Sequence, residues 1–125
     1  HGATRAVKLQ VSAPFHSSLM EPAAIIMNQA LNEIDINPLC VPLVANISAK
    51  AIQNAEEVKT CLIEQVTGRV RWRESVETFQ TMAIKRVVEI GPGKVLTGLV
   101  RRINPDLTGF NLCTPKEITD FLRKL

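Results

Sequence analysis

The chain has 125 residues, of which 46% are apolar and 22% are charged, and its net charge is +3. These values are typical of an ordinary globular domain. The weak, scattered positive charge and an aromatic content of only 4% argue against a surface on which nucleic-acid bases stack. Apolar runs stay well short of the roughly 18 residues that a membrane span needs. We therefore expect one domain or part of one, with neither nucleic acid nor membrane as a partner.

The number and spacing of the cysteines indicate whether they form disulfides or bind a metal. Three cysteines, Cys40, Cys61 and Cys113, are odd in number, far apart and free of any C-x-x-C spacing. Such a pattern predicts neither a disulfide framework nor a zinc site. We expect them to be small hydrophobic side chains in a reducing compartment, and the protein to be cytoplasmic.

The first elements of the chain follow clear patterns. Residues 5–12 alternate apolar and polar side chains, which predicts a strand with one buried face. Ser18 and Glu21 then have the S-x-x-E spacing of a capping box, and Pro22 suits a first helical turn. Apolar residues at helical spacing over 23–34 predict the helix itself.

Later elements alternate between strands and helices. They are, in order, a buried strand at 41–48, a helix capped by Asn54, a helix over 72–83, a strand, glycine turn and helix over 86–103, and a last helix opened by a Thr114–Glu117 capping box. This alternation predicts an α/β fold with a mainly parallel sheet flanked by helices. Only three strands are clear, which is few for five helices.

The glycine turn after the third strand, "EIGPGKVLTG", invites a nucleotide-binding interpretation that fails on spacing. A P-loop requires Gly at the position of Val88 and Ser or Thr at that of Val95. A dinucleotide fingerprint requires its third Gly at the position of Leu96. We therefore expect a structural turn whose glycines supply positive φ or close packing.

His16 is the one histidine away from the chain start, and it lies between a predicted strand and a predicted helix. The positive end of a helix dipole disfavours imidazolium, and a neutral imidazole is what a general base needs. Such a base activates a serine or cysteine, yet no serine of the chain has the G-x-S-x-G setting of a nucleophile elbow. A histidine that merely packs at the helix start is the alternative that these residues leave open.

Four segments, in order, resemble the malonyl-CoA:acyl carrier protein transacylases. They are "VSAPFHSSLMEPAA" at 11–24, "VPLVANISA" at 41–49, "QVTGRVRWRESV" at 65–76 and "VEIGPGKVLTGLVRRI" at 88–103. The resemblance covers nearly all of the chain but less than half of a typical family member.

This resemblance implies an α/β-hydrolase-like core with an inserted ferredoxin-like subdomain. Residues 1–12 would be the end of that subdomain, and 13–125 the C-terminal part of the acyltransferase core. His16 matches the catalytic histidine, and Gln65 matches the residue whose backbone carbonyl orients it. Phe15 and Asn46 match positions near the substrate, and Phe15 is the bulky residue of malonyl-selective members.

The function implied is acyl carrier protein S-malonyltransferase in fatty acid biosynthesis. The malonyl group would pass from malonyl-CoA to the phosphopantetheine thiol of acyl carrier protein through a malonyl-serine intermediate, without a metal or other cofactor. The family's nucleophilic serine, malonyl-binding arginine and oxyanion-hole residue have no counterparts in the chain. They would lie upstream of His1, so this chain alone is predicted to be inactive, with its own N-terminal portion as a partner.

The carrier protein is expected to be acidic. We therefore expect three basic residues, Lys94, Arg101 and Arg102, to meet it. Three other interpretations stay open at this point. They are an acyltransferase domain of a polyketide synthase, an inactive module that only binds the carrier protein, and a generic α/β domain with a structural histidine.

Overall fold

The computed structural model describes residues 2, 4, 6–8 and 11–125. Over these residues the chain forms five α-helices and four strands, which confirms the α/β class. The helices are α1 (Glu21–Asn32), α2 (Ala55–Thr67), α3 (Trp72–Thr81), α4 (Val95–Ile103) and α5 (Pro115–Leu122). The strands are β1 (Leu43–Ala45), β2 (Lys50–Ile52), β3 (Arg86–Ile90) and β4 (Thr108–Leu112).

The first sheet is an antiparallel pair of β1 and β2, with Leu43 opposite Ile52. The turn between them closes through a 2.7 Å hydrogen bond from the Ala49 N–H to the Ala45 carbonyl. The inner face of this pair packs on α2, where Ile52, Val58 and other apolar side chains form one buried cluster. The antiparallel arrangement follows from the connection, because a short turn reverses the chain direction.

The second sheet is a parallel pair of β3 and β4, and α4 is the crossover between them. Val76 of α3, Val100 of α4 and Leu107 form the second buried cluster. Trp72 and Phe79 extend it, with their rings edge to face at 6.2 Å. Parallel neighbours need such a crossover because the chain must return to the same end of the sheet.

The predicted mainly parallel sheet is wrong for the described residues, which form one antiparallel and one parallel pair. Of the predicted strand at 5–12, the described residues 6–8, 11 and 12 lie in no strand. Val7 and Val11 are 64% and 68% exposed. An alternating segment becomes a strand only where a neighbouring strand takes up its backbone hydrogen bonds. His1 lies outside the described residues, as do Arg5, Leu9 and Gln10 of the predicted strand.

All five predicted helices are confirmed, and so are two of the three caps. Asn54 Oδ1 accepts from the Glu56 N–H at 2.8 Å, and the Thr114–Glu117 capping box is complete. The predicted cap at Ser18 is wrong, because a 3-10 turn over Ser18–Met20 precedes α1 and takes that serine inside it. Pro22 does lie in the first turn of α1, where its missing N–H is not needed.

The membrane and redox features can be stated briefly. Within the described residues, no helix combines the length and apolar character that crossing a bilayer requires. All three cysteines are free thiols, with Cys61 buried and the other two exposed. Burial, with help from Glu57 and Glu64, raises the pKa of the Cys61 thiol.

Candidate active site

His16 lies in the turn that leads into α1 and has a positive φ of 59°. Positive φ is uncommon outside glycine, although histidine tolerates it better than most residues. The turn is closed by the Ser17 hydroxyl, which donates to the Pro14 carbonyl at 2.7 Å. This backbone conformation presents an exposed imidazole beside the C-terminal end of α2.

The His16 ring is held by one main-chain acceptor. Its Nδ1 lies 3.0 Å from the carbonyl oxygen of Gln65. A carbonyl only accepts, so Nδ1 carries a hydrogen, and in a neutral ring with this tautomer the lone pair is on Nε2. Within the described residues the ring's polar contacts are with Gln65 alone, at its carbonyl oxygen and, at 3.4 Å, at its side-chain Nε2, and no hydroxyl or thiol of these residues is hydrogen-bonded to the ring. The resemblance implies this same contact, while the catalytic role of the two residues stays a prediction.

The Gln65 carbonyl is available because α2 ends two residues later. The last four carbonyls of a helix have no intrahelical partner, and Gly68 leaves the helix in an extended conformation. The partial negative charge at a helix C-terminus also favours an N–H donor and stabilises an imidazolium that forms there. Gln65 therefore acts on His16 through its backbone, while its side-chain Nε2 donates to the Gly68 carbonyl at 3.1 Å.

Gly68 fits its place because it has no side chain. An added Cβ would overlap the side chain of Ile47 and lie 2.8 Å from the Glu64 carbonyl oxygen. Its φ of −83° is open to any residue, so the restriction is one of space. The sequence analysis passed over this glycine, although a glycine directly after a helical pattern is a recognised stop signal.

Asn46 lies at the end of β1 and faces α3. Its Oδ1 is 3.3 Å from the Ser75 hydroxyl, and its backbone carbonyl accepts from the Arg71 N–H at 3.0 Å. Ser75 is 1% exposed. A small cavity of about 200 Å³ runs between β1 and α2, with Asn46, Cys61 and Gln65 in its lining. Structure therefore brings His16, Gln65 and Asn46 into one region through positions far apart in sequence.

Phe15 and the basic residues complete the predicted set. Phe15 is adjacent to His16 and 56% exposed. Lys94 and Arg101 line one open cleft of about 460 Å³ between α4 and β4, and Arg102 is exposed on α4. The described residues contain no cluster of three or more side chains that suits a metal ion.

The turn from β3 into α4 has the predicted positive φ, 134° at Gly91 and 96° at Gly93. Glu89, at the end of β3, anchors the first turn of α4 by accepting from the Leu96 and Thr97 N–H groups at 3.2 and 2.8 Å. Hydrogen bonds from Thr97, above all from its hydroxyl, hold the pKa of Glu89 below its ordinary value. The carboxylate takes the place of a helix cap, because Lys94 has no capping side chain.

Comparison with known proteins finds chains that are similar to this one in sequence and in structure. The chain is 41% identical over 118 residues to the malonyl CoA-acyl carrier protein transacylase of Bacillus subtilis, covering 94% of this chain and 37% of that protein. The crystal structure of acyl-carrier-protein S-malonyltransferase from Bartonella henselae superposes with a TM-score of 0.88 and 49% identity, over 98% of this chain and 39% of that one. The chain is a homologue of the malonyl-CoA:acyl carrier protein transacylases.

A third similarity concerns a complex. A type II polyketide acyl carrier protein bound to its malonyl-transacylase includes a chain that is 36% identical to this one, with a TM-score of 0.89 and coverage of 99% of this chain and 40% of that one. No family model matches the chain. The chain thus spans about two fifths of the length of the transacylases that it resembles.

Proposed function

We propose that the complete protein that carries this chain is an acyl carrier protein S-malonyltransferase of fatty acid biosynthesis, with His16 as its general base. The observation that carries the proposal is the 3.0 Å contact between His16 Nδ1 and the Gln65 carbonyl. It leaves Nε2 free to take a proton, in a chain homologous to malonyl transacylases. The nucleophilic serine is proposed to come from an upstream part, so the chain alone is inactive.

The first half-reaction loads the enzyme. The serine oxygen bonds to the malonyl thioester carbon while His16 Nε2 takes the serine proton. The C–S bond then breaks, and the proton passes from His16 to the leaving sulfur of coenzyme A. In the second half, the carrier thiol gives its proton to His16 and attacks the malonyl ester, and the serine oxygen regains the proton as its C–O bond breaks. Two separate half-reactions give ping-pong kinetics.

Gln65 stabilises the charged state of this cycle. When Nε2 takes a proton, the ring becomes imidazolium, and the Nδ1–H···O contact becomes charge-assisted and stronger. The helix terminus adds its own partial negative charge. No metal or redox cofactor has a step in this scheme.

The proposed domain placement follows from the resemblance. Residues 1–12 would end a ferredoxin-like subdomain, and 13–125 would complete an α/β-hydrolase-like core. The three basic residues Lys94, Arg101 and Arg102 would receive an acidic carrier protein. Because one similar structure holds a type II polyketide carrier, a polyketide carrier is the alternative partner.

The decisive experiment is His16→Ala in the complete enzyme. We expect malonyl transfer to fall by roughly 10³-fold or more, as for the loss of a residue that acts as a unit with its nucleophile. Intact mass before and after malonyl-CoA addition then shows whether the serine ester still forms. Near-normal turnover or normal ester formation would refute the role of His16. The 125-residue chain alone should gain no malonyl group.

Substrate choice gives a second test, at Phe15. Phe15→Ser is expected to improve the specificity constant for methylmalonyl-CoA relative to malonyl-CoA, because a smaller side chain leaves room for the α-methyl group. The expected change is modest, about 10-fold, since one methylene in a pocket discriminates weakly. An unchanged ratio would remove Phe15 from the acyl pocket.

A further inference from the structure

The four residues that leave α2, 68–71, are tied to the turn between β1 and β2, and we call them the exit segment. The Arg71 N–H donates to the Asn46 carbonyl at 3.0 Å, and Arg71 Nη1 donates to the Ser48 carbonyl at 3.1 Å. The buried Ser75 hydroxyl lies 2.9 Å from the Arg71 carbonyl and 3.3 Å from Asn46 Oδ1. The exit segment therefore cannot move without breaking contacts to Asn46.

The other end of the exit segment is bonded to the turn of helix that holds His16. The Gly68 N–H donates to the Glu64 carbonyl at 2.8 Å, and Gln65 Nε2 donates to the Gly68 carbonyl. The last turn of a helix is its least stable part, because helix ends fray. A displacement of the exit segment consequently reaches the Gln65 carbonyl directly, two residues before the helix ends.

We propose that Asn46 and Ser75 are positioning residues for His16, acting through the exit segment and the Gln65 carbonyl. The proposal rests on the proposed function of His16. It gives the Asn46 side-chain oxygen a role inside the protein, because that oxygen faces a serine that is 1% exposed. The Asn46–Ser75 contact would hold the Gln65 carbonyl at the place where it accepts the hydrogen of Nδ1, so its loss would weaken the preference for the Nδ1–H form.

The test reads that hydrogen directly, in the complete enzyme labelled with ¹⁵N-histidine. The His16 signals are identified by their loss in His16→Gln. In the wild type we expect the Nδ1–H form to dominate. Asn46→Ala and Ser75→Ala are each expected to raise the Nε2–H fraction and to lower kcat by about 10- to 100-fold, as small misplacements of catalytic groups do, with KM for malonyl-CoA nearly unchanged.

A matched control separates positioning from general destabilisation. Asn104, which directly follows α4, is 8% exposed, and its side-chain Nδ2 donates to Gln80 Oε1 of α3 at 3.4 Å, so Asn104→Ala removes another amide that contacts α3, away from the exit segment. We expect it to leave the His16 signals unchanged. If Asn46→Ala does not fold, Ser75→Ala, which removes one hydroxyl, carries the test.

The outcomes distinguish the two proposals. Wild-type ring signals in both Asn46→Ala and Ser75→Ala, or an equal shift in Asn104→Ala, would overturn the positioning role. A tautomer shift confined to Asn46→Ala and Ser75→Ala supports it. If that shift appears while malonyl transfer stays normal, positioning stands and the proposed base role of His16 is what fails.

Discussion

Two turns of this molecule are built on glycine for different physical reasons. At the α2–α3 turn, Gly68 has an ordinary φ, and the side chain of Ile47 fills the space that a Cβ would need. At the β3–α4 turn, Gly91 and Gly93 have positive φ, and nothing lies within 4 Å of either added Cβ. The first turn limits the volume of the residue at position 68, whereas the second turn limits the backbone conformation at positions 91 and 93. The same residue type therefore predicts two different responses to substitution.

The largest effect is expected at Gly68. Gly68→Ala should lower the free energy of unfolding by about 1–3 kcal/mol, the usual cost of forcing an extra group into a packed site. It should also displace the Gln65 carbonyl and reduce kcat. Urea denaturation and steady-state kinetics of the complete enzyme measure the two effects.

A matched control for this substitution lies within α4. Gly98 is a helical glycine whose added Cβ would meet nothing within 4 Å. Gly98→Ala should raise stability by about 0.5–1 kcal/mol, because alanine loses less backbone entropy in a helix. A loss at Gly98 equal to that at Gly68 would contradict the steric explanation.

An intermediate effect is expected at Gly93. Gly93→Ala should cost roughly 1–2 kcal/mol, since an L side chain is disfavoured at positive φ. Because the surrounding space is open, Gly93→Gln should cost about the same, and denaturation midpoints of the two variants can be compared. A steep dependence on side-chain size would show that this turn, like the one at Gly68, is limited by volume.

The smallest effect concerns the charge that anchors the β3–α4 turn. Hydrogen bonds hold the pKa of Glu89 below its ordinary value of 4.5, so its ionised form favours the folded state. This contribution is complete above the unfolded-state pKa and is lost as pH falls through the folded-state value. Stability measured by urea titration should therefore drop in acid, and Glu89→Gln should lower stability at neutral pH while flattening that drop.

Glu117 provides the comparison for this pH effect. Its pKa is also lowered, by hydrogen bonds from the Cys113 and Thr114 N–H groups at the start of α5. Glu117→Gln should flatten the acid limb in the same way, at the same end of the parallel sheet, where Cys113 and Thr114 follow β4. An unchanged acid limb in both variants would remove these carboxylates from the acid response.

Local patterns predicted the helices, whose apolar spacing and caps lie within a few consecutive residues. Strands were harder to predict, because distant segments of the chain decide how strands pair. β4, with the sequence TGFNL, contains Gly and Asn and carries a weak strand signal. It forms because α4 returns the chain alongside β3. β2 has only three residues and was not predicted.

The residues of the candidate site also differ in how well the sequence predicted them. His16 stood out by its scarcity and its place before a helix, and the resemblance supplied Gln65 as its partner. Ser75 and Arg71 were not predicted to belong to the site, since a serine on an amphipathic helix and an arginine in the loop before it are usually solvated. Their contacts to Asn46 depend on how α3 lies against β1, which no local pattern of the sequence records.

The acceptor that orients His16 belongs to the peptide backbone. Every coded substitution at position 65 keeps a carbonyl there, so an alanine scan samples only the side chain and is blind to the orienting group itself. Conservation of glutamine at this position would likewise reflect the hydrogen bond from its side chain to the Gly68 carbonyl. That bond is separate from the main-chain contact that orients His16. Replacing the residue at 66 by its α-hydroxy acid turns the 65–66 amide into an ester and weakens that carbonyl as an acceptor, and it also removes the N–H of residue 66 from α2. The same replacement one turn earlier in α2 controls for the lost N–H.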